Sequence, residues 1–180
     1  DRSVSRGLGD VYKRQIAAGI LSWGQDLDHE SSPFQVNLSY QVPRNKKADY
    51  IGKEELEKQR DMIDEGKAPF KMKMVGITLG GKEITDYAPD FWIVTDTNGD
   101  EMGYVTSPWW SPELGTNIAL AWVPWSSSEV GTKLLVKLPD EYSVTPGEPV
   151  EGEVVNVPFR ESVNPNKREV EASKGKDFAE

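Results

Sequence analysis

The sequence predicts a mainly β protein in which a small β-barrel follows a helix–strand–helix segment. Short candidate strands recur from Phe70 onward at regular spacing, with Gly and Pro between them. Asn98-Gly99 joins two of these stretches and is the strongest hairpin signal in the chain. We therefore expect a barrel at residues 70–161, a connecting segment at residues 16–69, and a loose charged tail at residues 162–180.

The connecting segment is expected to hold a helix, a strand and a second helix. Residues 16–23 are apolar and end at Gly24, which suits a helix C-terminus. Residues 34–42 alternate apolar and polar side chains, the pattern of a half-buried strand. Residues 52–66 carry a sparse apolar stripe among many charges, which indicates a surface helix with one buried face.

Six stretches are the candidate strands of the barrel. They are residues 71–79, 91–95, 103–106, 117–123, 133–138 and 151–157. Residues 117–123 also allow a short helix-like crossing, so two alternatives stay open there. We expect Gly103 to occupy a hairpin position that needs a positive φ.

Composition limits the classes of partner and site. The chain has 180 residues, 21 Lys+Arg and 30 Asp+Glu, with a formal net charge of −9. An acidic chain repels nucleic acid and anionic membranes, so neither is an expected partner, and no apolar run could span a bilayer. The absence of Cys excludes disulfides and thiolate metal sites and fits a cytoplasmic location. His29 is the single His, which excludes His-based triads and His-rich metal sites within this sequence, and no metal is expected.

Residues 1–15 can be interpreted as a segment that the natural gene does not encode. Residues 5–15 read Ser-Arg-Gly-Leu-Gly-Asp-Val-Tyr-Lys-Arg-Gln, which resembles the translation of a transposase adapter used in sequencing libraries. Residues 1–15 would then be a non-native segment, and the natural sequence would begin near Ile16. We would expect such a segment to make few buried contacts. The alternative is a natural N-terminal helix, because residues 11–21 form a plausible helical stretch.

Five segments in register over residues 16 to about 160 carry a family resemblance. They are Ile16-Ala-Ala-Gly-Ile-Leu-Ser-Trp-Gly-Gln-Asp-Leu-Asp28 with Pro33-Phe34, Asp49-Tyr-Ile-Gly-Lys-Glu-Glu-Leu56, Met74-Val-Gly-Ile77, Gly103-Tyr-Val-Thr-Ser-Pro-Trp-Trp-Ser-Pro112 with Asn117-Ile-Ala-Leu120, and Gly131-Thr132 with Val157-Pro-Phe159. Together they resemble the C-terminal part of the glycine-cleavage T-protein family. These are folate-dependent one-carbon transferases that include the dimethylsulfoniopropionate demethylases.

The resemblance implies that residues 16–69 are the end of a truncated α/β central domain that binds folate, plus a connecting helix. It implies tetrahydrofolate as cofactor and missing N-terminal domains as partners of the barrel. The catalytic residues are expected upstream of Ile16. The family's folate-binding Glu would also lie upstream, and its folate-binding Arg aligns with Gln15. The sequence in hand is therefore expected to be inactive alone.

Three functions remain open under this resemblance. The first is a demethylase-like methyltransferase that acts on a small methylated onium or amine donor. The second is the aminomethyltransferase of glycine cleavage, which would need a lipoyl carrier protein as partner. The third is a non-catalytic packing and interaction module, which suits the isolated fragment.

Five residues are candidates to face the substrate or the folate. Trp109 and Trp110 are adjacent, lie between Pro108 and Pro112 on an expected rigid loop, and could attract an onium cation through their ring faces. The alternative for both rings is packing of the barrel. Ser107 belongs to the Thr106-Ser107-Pro108 variant of the family's Thr-Ser-Gly motif, and Trp23 and Asp26 complete the set. Asp26 and Asp28 could act as acid/base groups, with an exposed loop carboxylate as the simpler interpretation.

Overall fold

The structure, a computed structural model, describes residues 8–44 and 46–159, with the backbone alone for residues 8–11 and 13. The predictions for residues 1–7 and for the tail at 162–180 lie outside the described residues. The described residues form two α-helices and six strands: α1 (Leu8–Ala17), α2 (Lys53–Asp64), β1 (Met72–Leu79), β2 (Trp92–Thr95), β3 (Glu101–Ser111), β4 (Thr116–Pro124), β5 (Lys133–Val136) and β6 (Val150–Val155). Two short 3-10 helices lie at Ser39–Gln41 and Trp125–Ser127.

The six strands form a closed barrel in the order β1-β4-β3-β2-β5-β6, and the pairings are antiparallel. The predicted fold class, mainly β with a small barrel, is confirmed. Residues 117–123 are strand, not a helical crossing. The barrel interior is filled by one apolar cluster to which every strand contributes, including Val75, Val94, Val105, Ala121, Val136 and Val154.

Strand β4 is buried on both faces, which explains why the upstream segment packs on the barrel. Ala119, Ala121 and Val123 face the barrel interior. Ile118 belongs to a cluster with residues of α1, and Leu120 belongs to a cluster with Val36. Because side chains alternate along a strand, the outer face of β4 is apolar and must be covered. The segment before the barrel supplies that cover.

The strand predicted at residues 34–42 is wrong. The backbone instead forms consecutive turns and then the 3-10 helix Ser39–Gln41. Asn37 has φ 61° and cannot continue a strand, while the Leu38 N–H donates to the Pro33 carbonyl at 2.8 Å. The alternation still reported burial correctly, because Phe34 and Val36 are buried. Tertiary packing therefore buried this alternating stretch, which meets β1 through a backbone hydrogen bond from the Met74 N–H to the Gln35 carbonyl but forms no strand ladder.

The first helix ends earlier than expected, at Ala17. The Gly19 N–H donates to the Ile16 carbonyl and the Ile20 N–H donates to the Gln15 carbonyl, both at 2.9 Å. With Gly19 at φ 70°, these are the two bonds of a Schellman motif. The apolar residues that follow are exposed or packed in a loop. The helix predicted at residues 52–66 is confirmed as α2.

Strand β3 is longer than predicted and contains the Trp pair, so the rigid loop expected there is wrong. Pro108 and Trp109 pair with Ala119 and Ile118 of β4. Gly103 has no positive φ and lies inside β3, where a Cβ would come 2.0 Å from the Trp122 carbonyl oxygen. Position 103 requires glycine because β3 and β4 approach each other closely there, and not because the backbone turns.

Candidate functional site

The loop at residues 22–27 is closed on itself by backbone hydrogen bonds. The Asp26 N–H donates to the Ser22 carbonyl and the Gly24 N–H donates to the Leu27 carbonyl, each at 2.8 Å. Gly24 at φ 81° allows the tight reversal. The loop lies against the outer face of β3 and β4, because the Trp122 indole N–H donates to the Asp26 carbonyl oxygen at 2.9 Å.

The Asp26 carboxylate is buried at the centre of this contact, with 2% of the residue exposed. Its Oδ1 accepts hydrogen bonds from Thr106 Oγ1 and Ser107 Oγ, both at 2.6 Å. Its Oδ2 accepts from the Ser22 N–H at 2.7 Å. Within the part of the chain that the structure describes, no Lys, Arg or His forms an ion pair with Asp26, so neutral donors alone hold it.

Gln25 extends the network toward the surface. Its Nε2 donates to the Thr106 carbonyl at 2.7 Å and to the Tyr12 hydroxyl at 3.1 Å. Its Oε1 accepts from the Tyr87 hydroxyl at 3.3 Å, and the Tyr12 hydroxyl donates to Ser107 Oγ at 3.3 Å. Burial raises the pKa of the Tyr12 phenol, so it stays a neutral donor at physiological pH.

The interpretation of Asp26 as an exposed loop carboxylate is wrong, whereas Asp28 is exposed as expected. Asp26 and Ser107 were both named as candidates, and the structure brings them together. Thr106 was missed as a partner of Asp26, and Tyr12 and Gln25 were missed as the residues that extend the network from Ser107 and Thr106. The available signal was the Thr-Ser pair followed by Pro108, because two adjacent hydroxyls in a buried strand need an acceptor.

Trp109 and Trp110 are adjacent in β3, so their side chains point to opposite faces of the sheet. Trp109 is 7% exposed, and its ring meets Tyr12 edge-on with centroids 5.2 Å apart. Ile16, Ala17 and Ile118 complete the cluster around it. Trp110 is half-buried, and its backbone N–H donates to the Ile84 carbonyl at 2.8 Å. The packing alternative therefore describes Trp109. Among residues 1–15, for which few buried contacts are expected, Tyr12 is half-buried and packs against this cluster.

Trp23 is the accessible aromatic candidate. It is 70% exposed and sits on the closed loop between Ser22 and Gly24. Single exposed apolar side chains are common on protein surfaces, and Ile51 and Val144 of this chain are at least as exposed. Among the candidates, Trp23 alone combines a mostly exposed ring with a hydrogen-bonded backbone.

Two other site classes can be assessed in residues 8–44 and 46–159. No three His, Asp or Glu side chains there are grouped so that they could hold a metal ion. None of the helices in this part of the chain has the length and apolar character needed to cross a membrane.

Comparison with known proteins gives a consistent result. Residues 72–159 match the model of the glycine cleavage T-protein C-terminal barrel domain. The chain is 35% identical over 154 residues to the aminomethyltransferase of Thermotoga neapolitana and 37% identical over 155 residues to that of Thermotoga maritima. Each alignment covers 85% of this chain and 36% of the relative. An aminomethyltransferase of Listeria monocytogenes is 39% identical over 117 residues, which cover 64% of this chain and 29% of the relative.

Among solved structures, the glycine cleavage system aminomethyltransferase T from Bartonella henselae superposes with a TM-score of 0.64 at 22% identity. This superposition covers 84% of the chain and 38% of that protein, and it shows a shared fold. The chain spans about a third of the length of the curated relatives it matches.

Proposed function

Since the chain belongs to the glycine-cleavage T-protein family by its C-terminal barrel, we propose that it acts as the C-terminal part of a folate-dependent aminomethyltransferase. The observation that carries this proposal is the extent of the similarity to aminomethyltransferases. An alignment over 154 residues cannot fit within the barrel at 72–159, so it includes the upstream segment as well.

The demethylase-like function expected from the sequence has less support than its aminomethyltransferase alternative. The relatives described above are aminomethyltransferases. The argument for an onium donor rested on open faces of Trp109 and Trp110. Trp109 has no open face, because Tyr12 and the apolar cluster around Ile118 cover it. Cation–π attraction to a ligand needs an accessible ring face.

Tetrahydrofolate is the cofactor that the family implies, and the described residues fit its aromatic part. The exposed Trp23 indole offers a flat apolar face on which a planar heteroaromatic ring could stack. The polar groups nearby are already paired, since no buried side-chain N or O of the described residues lacks a hydrogen-bond partner. We propose that the principal polar ligands of the folate, and the catalytic residues, lie outside this chain.

In this proposal, bound tetrahydrofolate supplies the amine that accepts the one-carbon unit. The residues described here contribute a rigid surface, formed by the barrel and the loop at residues 22–27. The aminomethyl donor would be a lipoyl carrier protein. Reactions of this kind depend on how well the two reactants are held in position.

The test uses the protein encoded by the complete gene. We expect production of methylene-tetrahydrofolate and ammonia only when an aminomethyl-loaded lipoyl carrier and tetrahydrofolate are both present. Methyl transfer from a free sulfonium or ammonium compound without any carrier would exclude the proposal and favour the demethylase. The absence of both activities would favour a packing module.

A second measurement uses the 180-residue chain itself. We expect calorimetry to show no micromolar binding of tetrahydrofolate to this chain, because its polar ligands are proposed to lie elsewhere. Micromolar binding would move the main folate site into the described residues.

A further inference from the structure

The turn between β2 and β3 holds an asparagine followed by a glycine, and the proposed reaction does not use it. Asn98 and Gly99 are both exposed there. The Gly99 N–H donates to the Asp96 carbonyl at 3.1 Å, and the Asp96 N–H donates to the Asp100 carbonyl at 2.9 Å. With Gly99 at φ 92°, these two bonds close the turn. An exposed Asn-Gly pair is also chemically reactive, which gives this turn a second property.

The reaction open to this pair is deamidation, in which a side-chain amide becomes a carboxylate. The backbone nitrogen of Gly99 attacks the side-chain carbonyl carbon of Asn98 and loses its proton, while the bond from that carbon to the side-chain nitrogen breaks and ammonia leaves. A water molecule from the solvent then opens the five-membered imide ring, which yields either aspartate or isoaspartate. Glycine favours the attack because it has no Cβ and the least restricted backbone. The reaction needs no cofactor and no enzyme.

Asp96 holds both reacting groups of the pair. Its Oδ2 accepts from Asn98 Nδ2 at 3.1 Å, and its Oδ1 accepts from the backbone N–H groups of Asn98 at 2.8 Å and of Asp100 at 3.0 Å. Its carbonyl holds the Gly99 N–H, the group that must lose its proton. The attack therefore requires that the Asn98 amide leave the Asp96 carboxylate and that the Gly99 N–H leave its acceptor. The closed turn must open locally before the pair can react.

We propose that Asn98 is a site of spontaneous deamidation and that the Asp96 side chain slows this reaction by holding the turn closed. The proposal is independent of the enzymatic function proposed above, because it concerns a turn that no step of that function uses. Deamidation replaces an amide that donates to Asp96 by a carboxylate that cannot donate and bears the same charge. Isoaspartate also lengthens the main chain by one carbon atom. The product therefore weakens the β2–β3 hairpin.

The site is tested in the 180-residue chain incubated at mildly alkaline pH. Digestion and mass spectrometry measure the converted fraction of the peptide that contains Asn98, and a synthetic peptide of residues 92–105 is the reference without a closed barrel. Two hydrogen bonds must open in the chain, so we expect Asn98 to react about tenfold or more slowly there than in the synthetic peptide. Equal rates, or no conversion in the synthetic peptide, would overturn the proposal.

The role of Asp96 is tested with Asp96→Ala, which removes the acceptor of the Asn98 amide and should accelerate deamidation of the chain by about threefold to tenfold. Asp100→Ala is the matched control, because it removes an acidic side chain from the same turn, and Asp100 closes the turn through its backbone. This control should react at the wild-type rate. In the synthetic peptide, Asp96→Ala should change the rate by less than about twofold, because an isolated hairpin is barely stable. An Asp96→Ala chain that reacts no faster than wild type would refute the role of Asp96.

A second variant keeps the test decisive if circular dichroism shows that Asp96→Ala unfolds the chain. Asp96→Ser keeps a hydroxyl that can accept from the N–H groups of the turn, but it lacks the second oxygen that receives the Asn98 amide. A folded Asp96→Ser chain should react faster than wild type, and a wild-type rate would contradict the proposal. Asn98→Asp, the aspartate product, should unfold at a lower urea concentration than wild type. A midpoint at or above that of wild type would contradict the weakening of the hairpin.

Discussion

Truncation of Trp109 separates packing from ligand contact and can be compared with truncation of Trp23 in the same chain. Trp109 is 7% exposed and meets Tyr12, Ile16 and Ile118, whereas Trp23 is 70% exposed. Both changes remove an indole. Only the first leaves a cavity, between α1 and the outer face of the barrel.

The expected cost of Trp109→Ala follows from that cavity. Removal of a buried large aromatic side chain from a packed site costs about 3–5 kcal/mol in free energy of unfolding. Part of this is the edge-to-face contact with Tyr12, since aromatic pairs contribute about 0.5–1.5 kcal/mol beyond burial. Trp23→Ala creates no cavity and should stay within about 0.5 kcal/mol of wild type.

The assay is urea unfolding followed by far-UV circular dichroism, with both variants at the same protein concentration. Trp109→Phe serves as the milder change if Trp109→Ala unfolds, because total stability of small domains is only about 5–15 kcal/mol. A double-mutant cycle that combines Tyr12→Leu with Trp109→Ala should show a coupling energy, and the cycle that combines Tyr12→Leu with Trp23→Ala should show none. A loss below about 1 kcal/mol for Trp109→Ala would refute the packing assignment.

Four further predictions rest on other contacts. Asp26→Asn should lower the free energy of unfolding by about 2–3 kcal/mol in urea melts, because an amide cannot accept all three of the buried hydrogen bonds that the carboxylate accepts, and Asp28→Asn should stay within about 0.5 kcal/mol. Gly103→Ala should abolish or severely lower thermal stability, because its Cβ would lie 2.0 Å from a backbone oxygen, whereas Gly80→Ala meets nothing closer than 3.8 Å and should fold normally. The backbone N–H groups of Asp100 and Asn98 hold the pKa of Asp96 below its usual value, so the ionised carboxylate stabilises the folded state at neutral pH and this contribution is lost as the pH falls below about 4. The urea midpoints of wild type and Asp96→Asn should therefore converge at low pH. A constant difference between the two midpoints down to about pH 2 would contradict this prediction. Amplification of the locus should show no codons for Leu-Gly-Asp-Val-Tyr-Lys-Arg-Gln, and their presence would establish a natural N-terminal helix.

Local patterns in the sequence were sufficient for the barrel and for α2. The six strand positions follow from alternation and from turn residues such as Gly99, whose φ is 92°. The alternation of apolar and polar residues indicates which side chains face the interior, and a turn glycine indicates where the backbone needs a positive φ. Both signals are properties of neighbouring residues, so they can be recognised without the fold. The family resemblance added the C-terminal position of this barrel within longer relatives.

The site depended on distant partners, which no local pattern contains. Asp26 was interpreted as an exposed loop carboxylate because its neighbours are polar, yet Thr106 and Ser107, some 80 positions later, bury it. Trp109 was expected on a loop because prolines flank it, yet it lies in β3, where its backbone pairs with Ile118 of β4. Residues 34–42 alternate like a strand, but they meet β1 through one backbone hydrogen bond, from the Met74 N–H to the Gln35 carbonyl, and the positive φ of Asn37 prevents a longer ladder. Burial of a polar group or a ring is decided by what packs against it, and for these residues that is set only when the barrel closes and the upstream segment covers β4.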